Sequence, residues 1–304
     1  MMISVILPFY NENGTIQKTI DCLKSQTTLP AEVLFVDSGS NDDTAQIIKD
    51  NINTTQEFSL ILMYSGKMSP SSSINLGIKS AKHNMVMYID CGLHIPENWI
   101  ESQINKYQDS SSDLISGKIF TKGINNIDKS FIAHTYGYMN STPCLTGSLF
   151  DRNIIHKTGE FIENVRAGYD THFIKKIKNN KLSRVINNVN LEYYGANYAD
   201  NFLKGFKKVA LYSKSSSLIE SDNKPIYYFV FVLLGLISIK IDLFCLFVLL
   251  YIILRGLLFP IYKSDTLQLF KEIKLILILP LTAVVYDMAR MVGYLESYTI
   301  NHET

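Results

Sequence analysis

ISVILPFYNENGTIQKTIDCLKSQTTLPAEVLFVDSGSNDDT, residues 3–44, holds a strand, a helix and a second strand in one short stretch of chain. Ile3–Phe9 is a short apolar run rich in β-formers and closed by Pro8, which is the pattern of a buried strand. Within residues 14–26 the apolar positions Ile16, Ile20 and Leu23 recur at helical spacing. Ala31–Val36 is a second buried strand, and Asp37 leaves its end. Outward from there, Asp43–Asn51 reads as a helix, Leu60–Tyr64 as a strand, Ile74–Lys82 as a helix after a Ser-rich loop, and Met85–Ile89 as a strand ending at Asp90. Strands alternating with helices predict βαβ units, an α/β fold with a mainly parallel sheet flanked by helices, and ligands at the carboxyl ends of the strands.

Residues 110–165 are less regular. Leu114–Phe120 reads as a strand, and Gly117, Gly123, Pro143, Gly147 and Gly159 punctuate loops. Tyr169–Asn179 reads as a helix and Arg184–Val189 as a strand. Residues 200–219 intersperse Lys204, Lys207, Lys208 and Lys214 with Phe202, Leu203, Phe206, Val209, Leu211 and Tyr212. That is a basic amphipathic helix suited to a membrane surface, although a surface helix of the domain carries the same pattern.

The tail is apolar. Pro225–Ile239 and Leu243–Tyr262 are separated by Lys240 and Asp242. Crossing a bilayer takes about 20 apolar residues, and charges at mid-bilayer are costly. Two helices over 225–262 with a tight turn at Lys240–Asp242 avoid that cost. A third apolar segment at 273–295 spans the bilayer or lies in its interface, and there Asp287 and Arg290 stand one helical turn apart, able to pair. Lys204, Lys207, Lys208, Lys214 and Lys224 precede the first apolar helix, and Lys263, Lys271 and Lys274 follow the second. The positive-inside rule places both flanks in the cytosol, at an inner or plasma membrane. MMISVILPFYNEN lacks a basic region ahead of its apolar run, so no secretory signal is read there. The expected division is a soluble domain over 1–221 and a membrane region over 222–304.

With 29 Lys+Arg against 28 Asp+Glu, the 304 residues carry no general basic field, which argues against nucleic acid as a partner. The four cysteines, Cys22, Cys91, Cys144 and Cys245, are far apart and show neither zinc nor redox spacing. No G-x-G-x-x-G follows the first strand, Ser65-Gly66-Lys67-Met68 is not a phosphate-binding P-loop, and no G-x-S-x-G occurs.

Four polar stretches fall where a ligand is expected. Pro8-Phe9-Tyr10-Asn11-Glu12 places a polar tip after a buried strand, suited to a nucleobase or ribose. Val36 to Thr44 (VDSGSNDDT) brings a carboxylate out of the sheet beside a glycine turn; Asp37 can accept hydrogen bonds from base N–H or ribose hydroxyls, whereas Asp42 and Asp43 read as helix caps. Tyr88 to Pro96 (YIDCGLHIP) puts Asp90 at a strand end, a natural ligand for Mg²⁺ or Mn²⁺ on phosphates. Ala167 to Phe173 (AGYDTHF) sets Asp170 at a helix start.

In order and spacing, these motifs resemble family 2 glycosyltransferases of the GT-A fold over about residues 2–195. The similarity rests on VILPFYNENGTIQKTIDCLKSQ, VDSGSNDDT, SINLGIKSA, YIDCGLHIPENWI, and LTGSLFDRNIIHKTGEF followed by AGYDTHF. The resemblance implies that Pro8, Tyr10, Glu12, Asp37 and Ser40 bind the nucleoside, that Asn75 lies near the diphosphate, and that Asp90 contacts the ribose or a Mg²⁺ or Mn²⁺ ion. It implies Asp170 as the general base that takes a proton from an acceptor hydroxyl, with inversion at the anomeric carbon. The donor is then a nucleotide-diphosphate sugar. A membrane tail beside the domain suggests a lipid-linked or surface-polysaccharide glycan as acceptor, at the cytosolic membrane face. Three positions depart from the family's pattern. Gly92 stands where its second Asp of DxD is usual, with His94 two residues on as a substitute ligand; Tyr169 precedes Asp170 where Glu is common; and Ile74 precedes Asn75 where a basic residue is frequent. The alternative is a catalytically degenerate relative that binds nucleotide sugar or scaffolds a polysaccharide assembly complex.

Overall fold

The alternation read from the first ninety residues is the one the chain adopts. β1 (Ile3–Phe9), α1 (Ile16–Lys24), β2 (Glu32–Asp37), α2 (Thr44–Ile52), β3 (Ser59–Tyr64), α3 (Pro70–Ser80) and β4 (Met85–Tyr88) follow in turn. The computed structural model describes residues 1–193, 198–219, 225–240 and 242–301. The chain then adds β5 (Leu93–His94), α4 (Trp99–Ser110), β6 (Leu114–Thr121), α5 (Asn126–Thr135), β7 (Asn140–Asp151), α6 (Ile154–Thr158), α7 (Tyr169–Asn179) and β8 (Arg184–Tyr193). These strands form one eight-stranded sheet in the order β3-β2-β1-β4-β7-β6-β8-β5. β3, β2, β1 and β4 are parallel, whereas β7 runs antiparallel to β4 and β8 antiparallel to β5.

Two compact units divide the chain: Met1–Ile119 with Pro143–Tyr194, and Phe120–Thr142 with Gly195–Thr304. In the first, both sheet faces are apolar, as central parallel strands require. One face buries Val5, Leu7, Val33, Phe35 and Met87 against Ile16, Ile20 and Leu23 of α1 and Ile48 of α2. The other buries Ile6, Val86 and Tyr88 against Ile74 and Ile78 of α3 and Phe173 and Ile177 of α7. Helix α3 lies so close to β1 that a Cβ on Gly77 would fall inside the van der Waals shell of Ile6 Cγ2.

The Ser-rich stretch expected as a loop is the first turn of α3. Ser69 caps that helix by accepting the Ser72 N–H, Pro70 occupies the first turn, and Ser71, Ser72 and Ser73 are buried. The residues that made the stretch look irregular are those a helix start favours.

The second unit is helical. α8 (Phe202–Leu218) is capped by Asn201 and followed by α9 (Pro225–Lys240) and α10 (Phe244–Tyr251), then a π-helical stretch over Ile252–Leu258 and α11 (Phe259–Lys263). α12 (Thr266–Phe270) and α13 (Ile273–Asn301) complete it. The turn expected at Lys240–Asp242 falls between α9 and α10; Ile241 lies outside the described residues, while Leu243 N–H reaches back to Ser238 O at 2.9 Å. Among the described residues two helices are long and apolar enough to cross a membrane, Phe244–Lys263 and Ile273–Thr299, and Pro225–Lys240 is a shorter apolar helix. Asp287 does not take Arg290 as its ion-pair partner. It pairs with Arg255 at 2.6 Å and accepts the Tyr251 hydroxyl at 2.9 Å. Arg255 Nη1 in turn donates to Nδ1 of His134 at 2.8 Å, which leaves Nε2 to donate to Leu279 O at 2.9 Å. Because α10 and its continuation pack beside α13, a residue 32 positions away competes successfully with one a single turn away.

Candidate functional site

The carboxyl ends of β1 and β2 are laced together by their own loops. Pro8 is buried in a central strand, yet its missing N–H costs no ladder bond, because β4 pairs with β1 only as far as Ile6 opposite Tyr88. Beyond it Tyr10 is 54% exposed, and Asn11 takes a left-handed backbone at φ 54°. Asn11 N–H donates to Ser40 Oγ at 3.0 Å, Asn41 N–H to Asn11 Oδ1 at 2.9 Å, and Glu12 N–H to Thr44 Oγ1 at 2.8 Å. Asp37 is nearly buried and uses Oδ1 to accept the N–H groups of Gly39 and Ser40 at 3.1 and 2.8 Å. That Asx turn re-aims the chain at the edge of the sheet. Oδ2 of Asp37 makes no hydrogen bond among the described residues, so one acceptor remains for a ligand.

Next to them, β4 delivers Asp90. Its Oδ2 accepts the Tyr193 hydroxyl at 2.6 Å, its Oδ1 accepts the Tyr88 hydroxyl, and its backbone N–H donates to Thr146 Oγ1 at 2.8 Å. Tyr88 Oη also lies 3.3 Å from Tyr169 Oη. Burial pushes the Asp90 carboxyl above its ordinary range; the Tyr193 and Tyr88 hydroxyls oppose that shift, and the charge of Asp170 adds to it. Burial likewise raises Glu12, which the Thr15 hydroxyl partly offsets and Asp90 and Asp42 reinforce. Glu12 and Asp170 therefore each lie within electrostatic reach of Asp90, beyond the carboxyl ends of the central strands. Burial, reinforced by the charge of Glu12, pushes the Cys91 thiol up to about 12, so this cysteine stays a neutral thiol.

Asp170 stands in the first turn of α7, one residue after Tyr169, whose ring packs on the core beneath. Its side chain makes no hydrogen bond among the described residues. Capping is therefore not its occupation, and a carboxylate held by its helix without a partner is available to a ligand. Asn75 is placed differently. It is buried, its Nδ2 donates to Phe161 O at 2.8 Å and to Glu163 Oε1 at 3.0 Å, and its Oδ1 accepts Phe161 N–H at 3.0 Å. Its amide braces the loop ahead of α7. His94 is exposed and lies 4.0 Å from Cys22 Sγ on α1. Sequence reasoning passed over Tyr88, Tyr193 and Thr146. Their signal was weak, since Tyr193 reaches Asp90 across 103 positions of sequence.

The profile of the family described as Glycosyl transferase family 2 matches residues 4–174, more than half of the 304 residues. The chain belongs to that family. The chain is 26% identical over 184 residues to glycosyltransferase AglE of Haloferax volcanii, a match covering 57% of this chain and 60% of that one. It is also 26% identical over 119 residues to glycosyltransferase GlyG of Streptococcus pneumoniae, covering 39% of each. The matched stretch thus spans less than two thirds of either relative. Two solved structures share the fold. Mannosyltransferase PcManGT from Pyrobaculum calidifontis, in complex with GDP-Man and Mn²⁺, superposes with a TM-score of 0.56 at 15% identity over 97% of this chain and 86% of that one. TarS of S. aureus, in complex with UDP-GlcNAc, gives 0.52 at 15% over 99% and 92%. The fold is therefore of the GT-A kind, in a family 2 glycosyltransferase.

PcManGT was solved with Mn²⁺ as well as GDP-Man, so the donor set here can be tested against a divalent metal. Among the described residues no group of three or more His, Cys, Asp or Glu side chains is arranged to hold a metal ion. Mg²⁺ commonly takes one or two protein carboxylates and fills the rest of its shell from phosphates and water. Asp90 fits that lesser requirement: each carboxylate oxygen has a further lone pair beyond its tyrosine bond.

Proposed function

We propose that this glycosyltransferase moves a sugar from a nucleotide-diphosphate donor to an acceptor hydroxyl with inversion, and that Asp170 is its general base. The observation that carries the reading is the pairing of two carboxylates with opposite circumstances. Asp90 is clamped by two phenols, whereas Asp170, close enough to raise it, has no hydrogen-bond partner among the described residues. A clamped carboxylate suits a fixed ligand, and an unclamped one suits a proton acceptor. Pro8, Tyr10, Glu12, Asp37 and Ser40 line the nucleoside end. Asp37 keeps one oxygen for a base or ribose, and Tyr10 offers an exposed ring for stacking. Asn75 acts on the diphosphate indirectly, by bracing the loop before α7. Asp90 is the residue that would hold a Mg²⁺ or Mn²⁺ ion, with His94 as the secondary candidate ligand. The ion, when bound, neutralises charge developing on the departing nucleoside diphosphate. Asp170 accepts the acceptor hydroxyl's proton as its oxygen attacks the anomeric carbon, while the bond from that carbon to the diphosphate breaks.

We further propose that residues 1–221 serve catalysis and 222–304 membrane attachment. The catalytic part then lies in the cytosol, and a lipid-linked or surface-polysaccharide glycan serves as acceptor. The lysines on both flanks of the apolar hairpin support that orientation. The test is a thermal-shift panel of UDP-, GDP- and dTDP-sugars on the full chain, with and without Mn²⁺, followed by donor turnover in Asp170→Asn. A ligand that binds the folded state raises Tm by mass action. The expected result is a Tm rise with one donor class, and transfer lost in Asp170→Asn with that rise preserved. Equal transfer by both proteins would refute the base assignment. A rise with no transfer in wild type would favour a degenerate binding relative.

A further inference from the structure

The segment joining the two longest apolar helices is amphipathic in a direction that folding alone does not explain. It is pinned on one side. Leu269 of α12 is completely buried in a cluster with Ala133, Tyr138, Leu275 and Leu279. Tyr138 N–H donates to Ser264 Oγ at 2.9 Å, Asp265 N–H to Tyr138 O at 2.9 Å, and Lys129 pairs with Glu272 at 2.7 Å. On the other side it presents large apolar groups: Tyr262 is 90% exposed, Leu267 78%, Ile273 69% and Phe270 57%. Lys271 and Lys274 are exposed among them. A loosely held loop would fold such side chains inward. This one is held by a buried leucine and backbone hydrogen bonds, so its outer face stays outward and needs a partner.

We propose that this elbow, residues 262–274, lies in the headgroup layer of a phospholipid bilayer, with Tyr262, Leu267 and Phe270 immersed and Lys271 and Lys274 at the level of the lipid phosphates. The inference rests on the membrane reading above and adds to it a depth and a set of residues. Lipid is favoured over a protein partner because the elbow is continuous at both ends with helices long and apolar enough to cross a membrane, Phe244–Lys263 and Ile273–Thr299. An amphipathic aromatic ring, apolar side chains beside it and flanking lysines match the composition of the membrane–water boundary.

The chain's single tryptophan, Trp99, is fully buried, so introduced tryptophans report their own surroundings. Leu267→Trp and Phe270→Trp place the probe on the elbow. Leu281→Trp places it eight residues into α13, about 12 Å along the helix. All three positions are exposed and disturb no core. The full chain is reconstituted in phosphatidylcholine vesicles whose acyl chains are brominated either near the headgroup or near the methyl end. Leu267→Trp and Phe270→Trp are expected to lose more emission to the shallow bromine, Leu281→Trp more to the deep bromine, and wild type little to either. If the elbow probes are unquenched while Leu281→Trp is quenched, the elbow lies outside the bilayer and the proposal falls while membrane attachment stands. If all three are unquenched, membrane attachment falls with it. Deep quenching of the elbow probes overturns the assigned depth.

Discussion

Removing one hydroxyl from the Asp90 clamp should cost catalysis far more than it costs folding. In Tyr193→Phe the ring stays at the end of β8, opposite Leu93 of β5, and only the group that donates to Asp90 Oδ2 at 2.6 Å is lost. A hydrogen bond to a charged group contributes about 1.5–3 kcal/mol. Asp90 keeps its bonds from Tyr88 and from its own N–H to Thr146, so the carboxylate remains in place but gains a rotational freedom. If Asp90 must hold one orientation toward the donor, that energy appears as a fall in kcat/KM of about ten-fold to about a hundred-fold. The assay is transfer from whichever donor class the thermal panel identifies, with kcat and KM separated. It is run beside Tyr88→Phe and a double-mutant cycle with Asp90→Asn. Coupling of at least about 1.5 kcal/mol between Tyr193 and Asp90 is expected. A purely structural tyrosine would lower Tm while leaving kcat/KM of the folded protein unchanged. That outcome, or a cycle with no coupling, would refute the positioning role.

Three further outcomes follow from packing and charge. Burial, reinforced by the Arg255 guanidinium, lowers the His134 imidazole from its ordinary 6.5 to about 3. The native state therefore refuses a proton that the unfolded chain accepts. The stability contributed by a depressed pKa is fully present above pH 6.5 and is lost as pH falls toward 3, by on the order of 3 kcal/mol at pH 4.5. The Tm advantage of wild type over His134→Gln should shrink across that window, and a pH-independent difference would contradict the neutral imidazole. Gly77→Ala should lower stability by about 1–3 kcal/mol, because its methyl meets Ile6 between α3 and β1; an unchanged Tm would show that the helix can move off the sheet. Arg255→Ala leaves Asp287 buried without its ion-pair partner and should cost about 3–5 kcal/mol, whereas the double change Arg255→Met with Asp287→Leu should cost less than the single one, as read by thermal denaturation in detergent.

Local pattern carried the first ninety residues well because each strand and helix there buries a face whose period shows in sequence. Ile16, Ile20 and Leu23 sit in the core as their spacing requires. The strand-end carboxylates were legible for the same reason: a polar residue after a buried run marks where the chain meets solvent. What lay beyond local pattern was partnership across the chain. Asn140–Asp151 is a twelve-residue strand that contains Pro143 and Gly147, both of which read as loop. Asn75 looked like a ligand because its neighbours in sequence resemble a motif, yet its amide is spent on Phe161 and Glu163, more than eighty positions away. Asp287 has Arg290 as its nearest base in sequence and instead meets Arg255 from another helical segment.

Gly92 shows the same limit at the site itself. By spacing it is a motif position lacking its carboxylate. In space it adopts φ +78°, and a Cβ built on it would lie 3.4 Å from Thr15 Oγ1 and 3.5 Å from Glu12 Oε2. Glu12 thus brings a carboxylate from the end of β1 to the point where a side chain at position 92 would begin. The burial that raises Glu12 leaves little room for a second negative charge beside it. Gly92→Asp restores the family's spacing in sequence, but it adds left-handed strain of about 1 kcal/mol and a like charge against Glu12. The expected result is a lower Tm and no gain in the Tm response to Mn²⁺ with donor. A clear gain in that response would mean that Glu12 can yield its place and that the glycine reflects a lost ligand. No gain, together with a larger loss of activity in Glu12→Gln than in Gly92→Ala, would mean that the carboxylate has been supplied from a different strand end.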